Sequence, residues 1–143
     1  MVNVVDHLTP PRTQEPPTMP VIPAPAAPTH DLDTTHFTSL ATPSTGSGEA
    51  SVWRVEIEPG TPATPHSLTR EEVFVVLEGT AGVRLGRGET EVASPGDAVV
   101  VPPDTRFEIA PLGDDTLRML CWLPVGGQAR TDDGSVFTPP WAQ

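Results

Sequence analysis

From residue 51 onward, apolar and polar side chains alternate in short runs. Trp53, Val55 and Ile57 interleave with Arg54, Glu56 and Glu58, the two-residue period of a strand with one wet face. Pro59-Gly60 then turns the chain. Val73 to Leu77 is a short apolar run closed by Gly79, and alternation from Glu72 puts Glu72, Phe74 and Val76 on one face and Val73, Val75 and Leu77 on the other. Ala81, Val83 and Leu85 alternate again. Gly86-Arg87-Gly88 reads as a hairpin leading to Thr90-Glu91-Val92, and Ser94-Pro95-Gly96-Asp97 as a further turn. Ala98 to Val101 follows, broken by Pro102-Pro103; Phe107 and Ile109 alternate, Gly113-Asp114-Asp115 turns, and Thr116 to Leu123 gives a last long strand. Six or seven short strands separated by Gly and Pro turns predict an all-β sandwich or barrel. No stretch carries a helical period of apolar residues.

Composition divides the chain near residue 45. Residues 1–43 hold nine of the nineteen prolines and none of the twelve glycines. Proline removes backbone donors and favours extended structure, so the chain is expected to comprise a Pro-rich N-terminal arm (1–45) and a β-barrel (46–143). His36 to Leu40 offers one short edge strand within the arm. At 143 residues the length suits one domain. The formal charge of −11 opposes binding to a phosphate backbone, which excludes nucleic acid as a partner. No apolar run approaches the ~20 residues of a membrane helix, so no membrane partner is expected. The single cysteine, Cys121, has no internal disulfide partner and is expected to be a buried, inert thiol. The opening MVNVVDHLTPPR lacks a basic start and an apolar stretch, so no signal peptide is expected and a soluble, cytoplasmic protein is predicted.

Two segments resemble the motifs of the cupin family. In Pro59 to Gly79, the residues Gly60, His66, Glu72 and Gly79 fall in register with the first motif, and Leu68 stands where that motif carries its second histidine. In Pro95 to Phe107, Asp104 occupies the position of a usual glycine and Phe107 that of a usual histidine. The resemblance covers residues 37–125. It implies a single cupin barrel (a jelly roll, or double-stranded β-helix) preceded by the extended arm. Many cupins hold Fe, Mn, Ni or Zn through three histidines and a glutamate. Here two of those four positions are apolar, and His66 with Glu72 alone falls short of a three-ligand catalytic set. No cofactor is therefore expected; a divalent metal would have to use His66 and Glu72 with help from His36 or Glu71.

The resemblance places Glu72, Phe74, Val76, His66, Leu68 and Phe107 in the cavity. A carboxyl in such apolar surroundings is costly to ionise unless a donor meets it, and His66 is the expected partner. A His66–Glu72 pair suits general acid–base work at neutral pH; the alternative is two groups that merely hydrogen-bond each other. Trp53 and Arg106 complete the candidate ligand-binding set, Trp53 from the strand pattern and Arg106 as an anchor for an anion at the barrel mouth, although a solvated strand-end arginine is the simpler role. The aromatic-proline tail around Phe137 and Trp141 is expected to cap the barrel or bridge to a second copy, and a homodimer is expected. These residues predict binding of a small, largely apolar organic molecule and a non-redox isomerisation, cyclisation or lyase step of bacterial secondary metabolism. Alternatives are a metal-dependent dioxygenase or isomerase, a ligand-sensing cupin without catalysis, and a structural partner that docks through its arm.

Overall fold

Period-two alternation becomes two antiparallel sheets. The computed structural model describes residues 20–143. Its first strands are β1 (Thr29–Leu32), β2 (Thr35–Ala41), β3 (Ala50–Ile57), β4 (His66–Leu68), β5 (Glu72–Glu78) and β6 (Ala81–Leu85). The remainder are β7 (Glu91–Ala93), β8 (Ala98–Val101), β9 (Phe107–Pro111), β10 (Leu117–Pro124), β11 (Ala129–Thr131) and β12 (Val136–Phe137). One sheet runs β1-β2-β3-β10-β5-β8 and the other β12-β11-β4-β9-β6-β7. The fold is the all-β barrel expected. No helix among the described residues is long and apolar enough to cross a membrane.

Burial follows the alternation. Strand β3 buries Ser51, Trp53, Val55 and Ile57, and β10 buries Leu117, Met119, Cys121 and Leu123. The two strands pair with Cys121 opposite Trp53, so one face of the sheet forms a wall of the core. Strand β5 turns Glu72, Phe74 and Val76 inward. Gly79 closes β5 at φ +78, and a Cβ there would lie 2.5 Å from the carbonyl oxygen of Thr116; only glycine permits both the left-handed turn and that approach.

Two regions carry more sheet than composition suggests. Residues 29–41, Pro-rich only at their borders, add β1 and β2 to the first sheet, with Phe37 opposite Val55 and Ser39 opposite Trp53. The expected strand at His36 to Leu40 is thus part of a longer one. Residues 1–19, the remainder of the Pro-rich stretch, lie outside the described residues. Beyond the last expected strand, β11 pairs with β4 and β12; segments of three and two residues are too short to show a period.

The tail caps its own barrel. Trp141 stacks on Phe37 with ring centroids 3.7 Å apart and planes 5° from parallel. The buried Ser39 hydroxyl donates to the Trp141 carbonyl oxygen (2.7 Å) and that of Ser51 to the Ala142 carbonyl oxygen (2.6 Å), satisfying backbone groups that a terminal 3-10 turn leaves open.

Candidate functional site

The segment bearing the two candidate ionisable residues crosses from one sheet to the other. His66 lies on β4 of the second sheet and Glu72 opens β5 of the first, with only Thr69 to Glu71 between the strands. The crossing is pinned by Thr69 N–H donating to the Gln128 carbonyl oxygen, Gln128 N–H to Thr69 Oγ1 (both 2.9 Å), and Asp104 N–H to the Leu68 carbonyl oxygen (2.7 Å). Asp104 sits at φ +56, the left-handed conformation that glycine adopts most readily. The chain therefore keeps this turn without the glycine.

His66 from the second sheet and Glu72 from the first line one cavity of about 480 Å3. Leu68, Phe74, Phe107 and Trp53 line it as well. His66 is the cross-strand partner of Phe107, with ring centroids 4.4 Å apart, and Phe107 lies 5.7 Å from Phe74. Val76 points inward and is fully buried, but its side chain packs in the core beyond the cavity lining. Arg106 stands outside that lining. Alternation turns it away from the neighbouring Phe107, and it donates two hydrogen bonds to Asp132, at 3.0 and 2.9 Å.

The two ionisable side chains do not bond each other. His66 Nδ1 donates to the Thr64 carbonyl oxygen at 2.7 Å; a carbonyl can only accept, so this contact fixes the proton on Nδ1 and leaves Nε2 with its lone pair. Pro65 holds Thr64 in extended backbone and so helps set that carbonyl. Burial lowers the His66 pKa, outweighing the Thr64 bond and the more distant Asp132. Glu72 is 4% exposed, and among the described residues no hydrogen bond or ion pair reaches its carboxyl. Burial alone pushes its pKa from 4.5 to about 8. The expected His66–Glu72 contact is replaced by two separately neutral groups, an acid with its proton and an imidazole with a free nitrogen.

Cys121 also lines the cavity. Burial, and then the neighbouring Glu72 charge, push its thiol well above the usual range, in keeping with an inert role. Phe37, Phe137 and Trp141 are cavity residues that strand periodicity did not single out. The signal was compositional: six of the seven Phe and Trp residues of the chain meet at this one cavity. The rim is made by the β1–β2 turn and the β3–β4 loop, tied by a 2.6 Å hydrogen bond between the Thr34 and Thr61 hydroxyls.

The donor set does not fit a resident metal. Of the four positions the cupin motifs assign to ligands, Leu68 and Phe107 present hydrocarbon. Among the described residues no three His, Cys, Asp or Glu side chains gather into a group that could hold an ion. His36 bonds instead to Asp31 (2.7 Å) on the barrel exterior.

Comparison with known proteins agrees with this architecture. A family model described as "Cupin domain" matches residues 53–123. The polyketide cyclase RemF from Streptomyces resistomycificus superposes with a TM-score of 0.68 at 22% identity, covering 85% of this chain and 88% of that one. KdgF from a Halomonas species superposes at 0.62 with 25% identity, over 81% and 98% of the two chains. A cupin-like protein from Thermotoga maritima gives 0.63 at 22% identity, over 71% and 77%. No curated protein sequence shows significant similarity to the chain.

Proposed function

Because the chain belongs to the cupin superfamily, with a cavity of about 480 Å3 at the centre of its barrel, we propose that it binds a small, largely apolar organic molecule there and catalyses a non-redox acid–base step. The observation that carries this reading is the pair of unbonded, complementary proton carriers, one from each sheet, in one cavity. Nε2 of His66 accepts a proton from one ligand atom, while Glu72 delivers its own to another, basic atom. Formation of imidazolium and carboxylate together keeps the cavity's net charge unchanged, which matters where desolvation of a single charge is costly. Both groups are then restored when the proton is returned from His66 and Glu72 is reprotonated. An isomerisation, cyclisation or lyase-type elimination each needs this relay and no electron acceptor. The existence of a polyketide cyclase on the same fold supports cyclisation among these three. A cavity of this size lies within the range of small-molecule sites.

Proton transfer can be read before the natural substrate is known. Aryl ketones, 1,3-diketones and β-aminoketones are incubated in deuterated buffer, and loss of the acidic C–H signal is followed by proton NMR. Wild-type protein should accelerate exchange of at least one compound class. His66→Ala and Glu72→Gln should each reduce that acceleration by about a hundredfold or more while circular dichroism stays unchanged. Binding without any accelerated exchange would leave a ligand-binding cupin and refute the catalytic step.

A further inference from the structure

The cavity's chemistry is lopsided. Six aromatic side chains line it, Phe37, Trp53, Phe74, Phe107, Phe137 and Trp141. Two carboxyls accompany them, Glu72 within the wall and Asp33 at the rim, yet no arginine among the described residues does, and the chain has no lysine. Glu72 is 4% exposed and meets no donor among the described residues. Among the described residues the other titratable groups in the lining are His66 and Cys121. An anionic ligand would meet two carboxyls and, among the described residues, no arginine or lysine. A pure hydrocarbon would leave the carboxyl unmatched, at the cost of a buried polar group. A positively charged nitrogen satisfies both features at once, since it neutralises the carboxylate and is attracted to the negative faces of aromatic rings.

We propose that the cavity is built for an organic cation, an amine-bearing molecule whose ammonium group lies against Glu72 and whose apolar body packs among the aromatic rings. This rests on the cavity being a ligand site, and it identifies the basic atom that receives the Glu72 proton as nitrogen. A neutral amine entering the site takes that proton, the Glu72 O–H bond breaks as the N–H bond forms, and an ammonium–carboxylate pair results. The surplus negative charge of the chain, −11, draws cations toward the barrel.

The test compares two probes of the same shape. Benzyltrimethylammonium carries a permanent charge, and neopentylbenzene is its uncharged carbon isostere. Binding is followed by fluorescence of Trp53 and Trp141 near pH 9, where a carboxyl with its midpoint at about 8 is ionised. Wild-type protein should bind the cation at least about tenfold more tightly than the isostere. Glu72→Gln should weaken cation binding far more than neopentylbenzene binding and so reduce the preference. Phe107→Leu, which keeps the wall apolar but removes a ring face, should weaken cation binding more than isostere binding. Equal affinities, a preference unchanged by Glu72→Gln, or binding of neither probe would overturn the inference. The exchange assay is read on separate compounds, so loss of the cation preference leaves the acid–base reading standing, and absence of exchange leaves the cation site standing.

Discussion

Replacing Glu72 by Gln should stabilise the protein, and by an amount that depends on pH. Burial raises the carboxyl from 4.5 to about 8 without any compensating partner among the described residues. In the unfolded chain the group loses its proton above 4.5, whereas in the folded chain it keeps it until about 8. Between those values the unfolded state binds fewer protons, so stability falls as pH rises and levels off above 8. The interval from 4.5 to about 8 spans three and a half pH units. At about 1.4 kcal/mol per pH unit, the full loss is about 5 kcal/mol, of which about 3 kcal/mol is already incurred at pH 7. Glutamine has nearly the shape of the protonated acid and no charge to desolvate. Glu72→Gln should therefore match wild type near pH 4 and exceed it by several kcal/mol near pH 9. Urea unfolding across this range measures the difference directly, and taking the difference cancels the common titration of every other group. Curves that remain parallel from acid to alkaline pH would refute the reasoning. So would a destabilised variant at pH 9, since that would mean an ionised Glu72 held by a partner.

Three other outcomes follow from the geometry. Gly79→Ala should cost more than about 2 kcal/mol in urea unfolding, because φ is +78 and the new Cβ would meet the Thr116 carbonyl oxygen; a neutral result would show that β5 and β10 can separate there. Trp141→Ala removes the stack on Phe37 and should cost about 1–3 kcal/mol, with faster amide exchange confined to the tail and β2; exchange unchanged in both would show that the cap is not held by the stack. Elemental analysis of untagged protein should find far less than one equivalent of Fe, Mn, Ni or Zn per chain, since only two of the four motif positions can donate. One equivalent that disappears in His66→Ala would overturn the donor-set argument.

Strand periodicity was legible because the core demands it. A strand that buries every second residue is written with every second residue apolar, as β3 is from Trp53 to Ile57 and β10 from Leu117 to Leu123. The resemblance to the cupin motifs likewise marked His66 and Glu72 as two residues of one cavity. Strands β11 and β12 were not legible, because three- and two-residue strands are specified by their partners and not by their own pattern. Nor was the role of Phe37, which becomes a cavity residue only when Trp141, more than a hundred positions later, stacks upon it.

The sequence by itself determined an all-β fold, its turns and the identity of its ionisable side chains, since these depend on period-two burial and on local glycine and proline chemistry, while the resemblance to the cupin motifs narrowed that fold to a barrel. What only the tertiary structure decided is how those side chains are poised. Whether His66 and Glu72 bond each other depends on which carbonyl lies nearest the imidazole and how much water reaches the carboxyl. The first is a local contact, in which the Thr64 carbonyl two residues earlier captures the Nδ1 proton; the second is set by the packing of the two sheets, which strips solvent from Glu72. Their separation turned an expected pair into an independent acid and base.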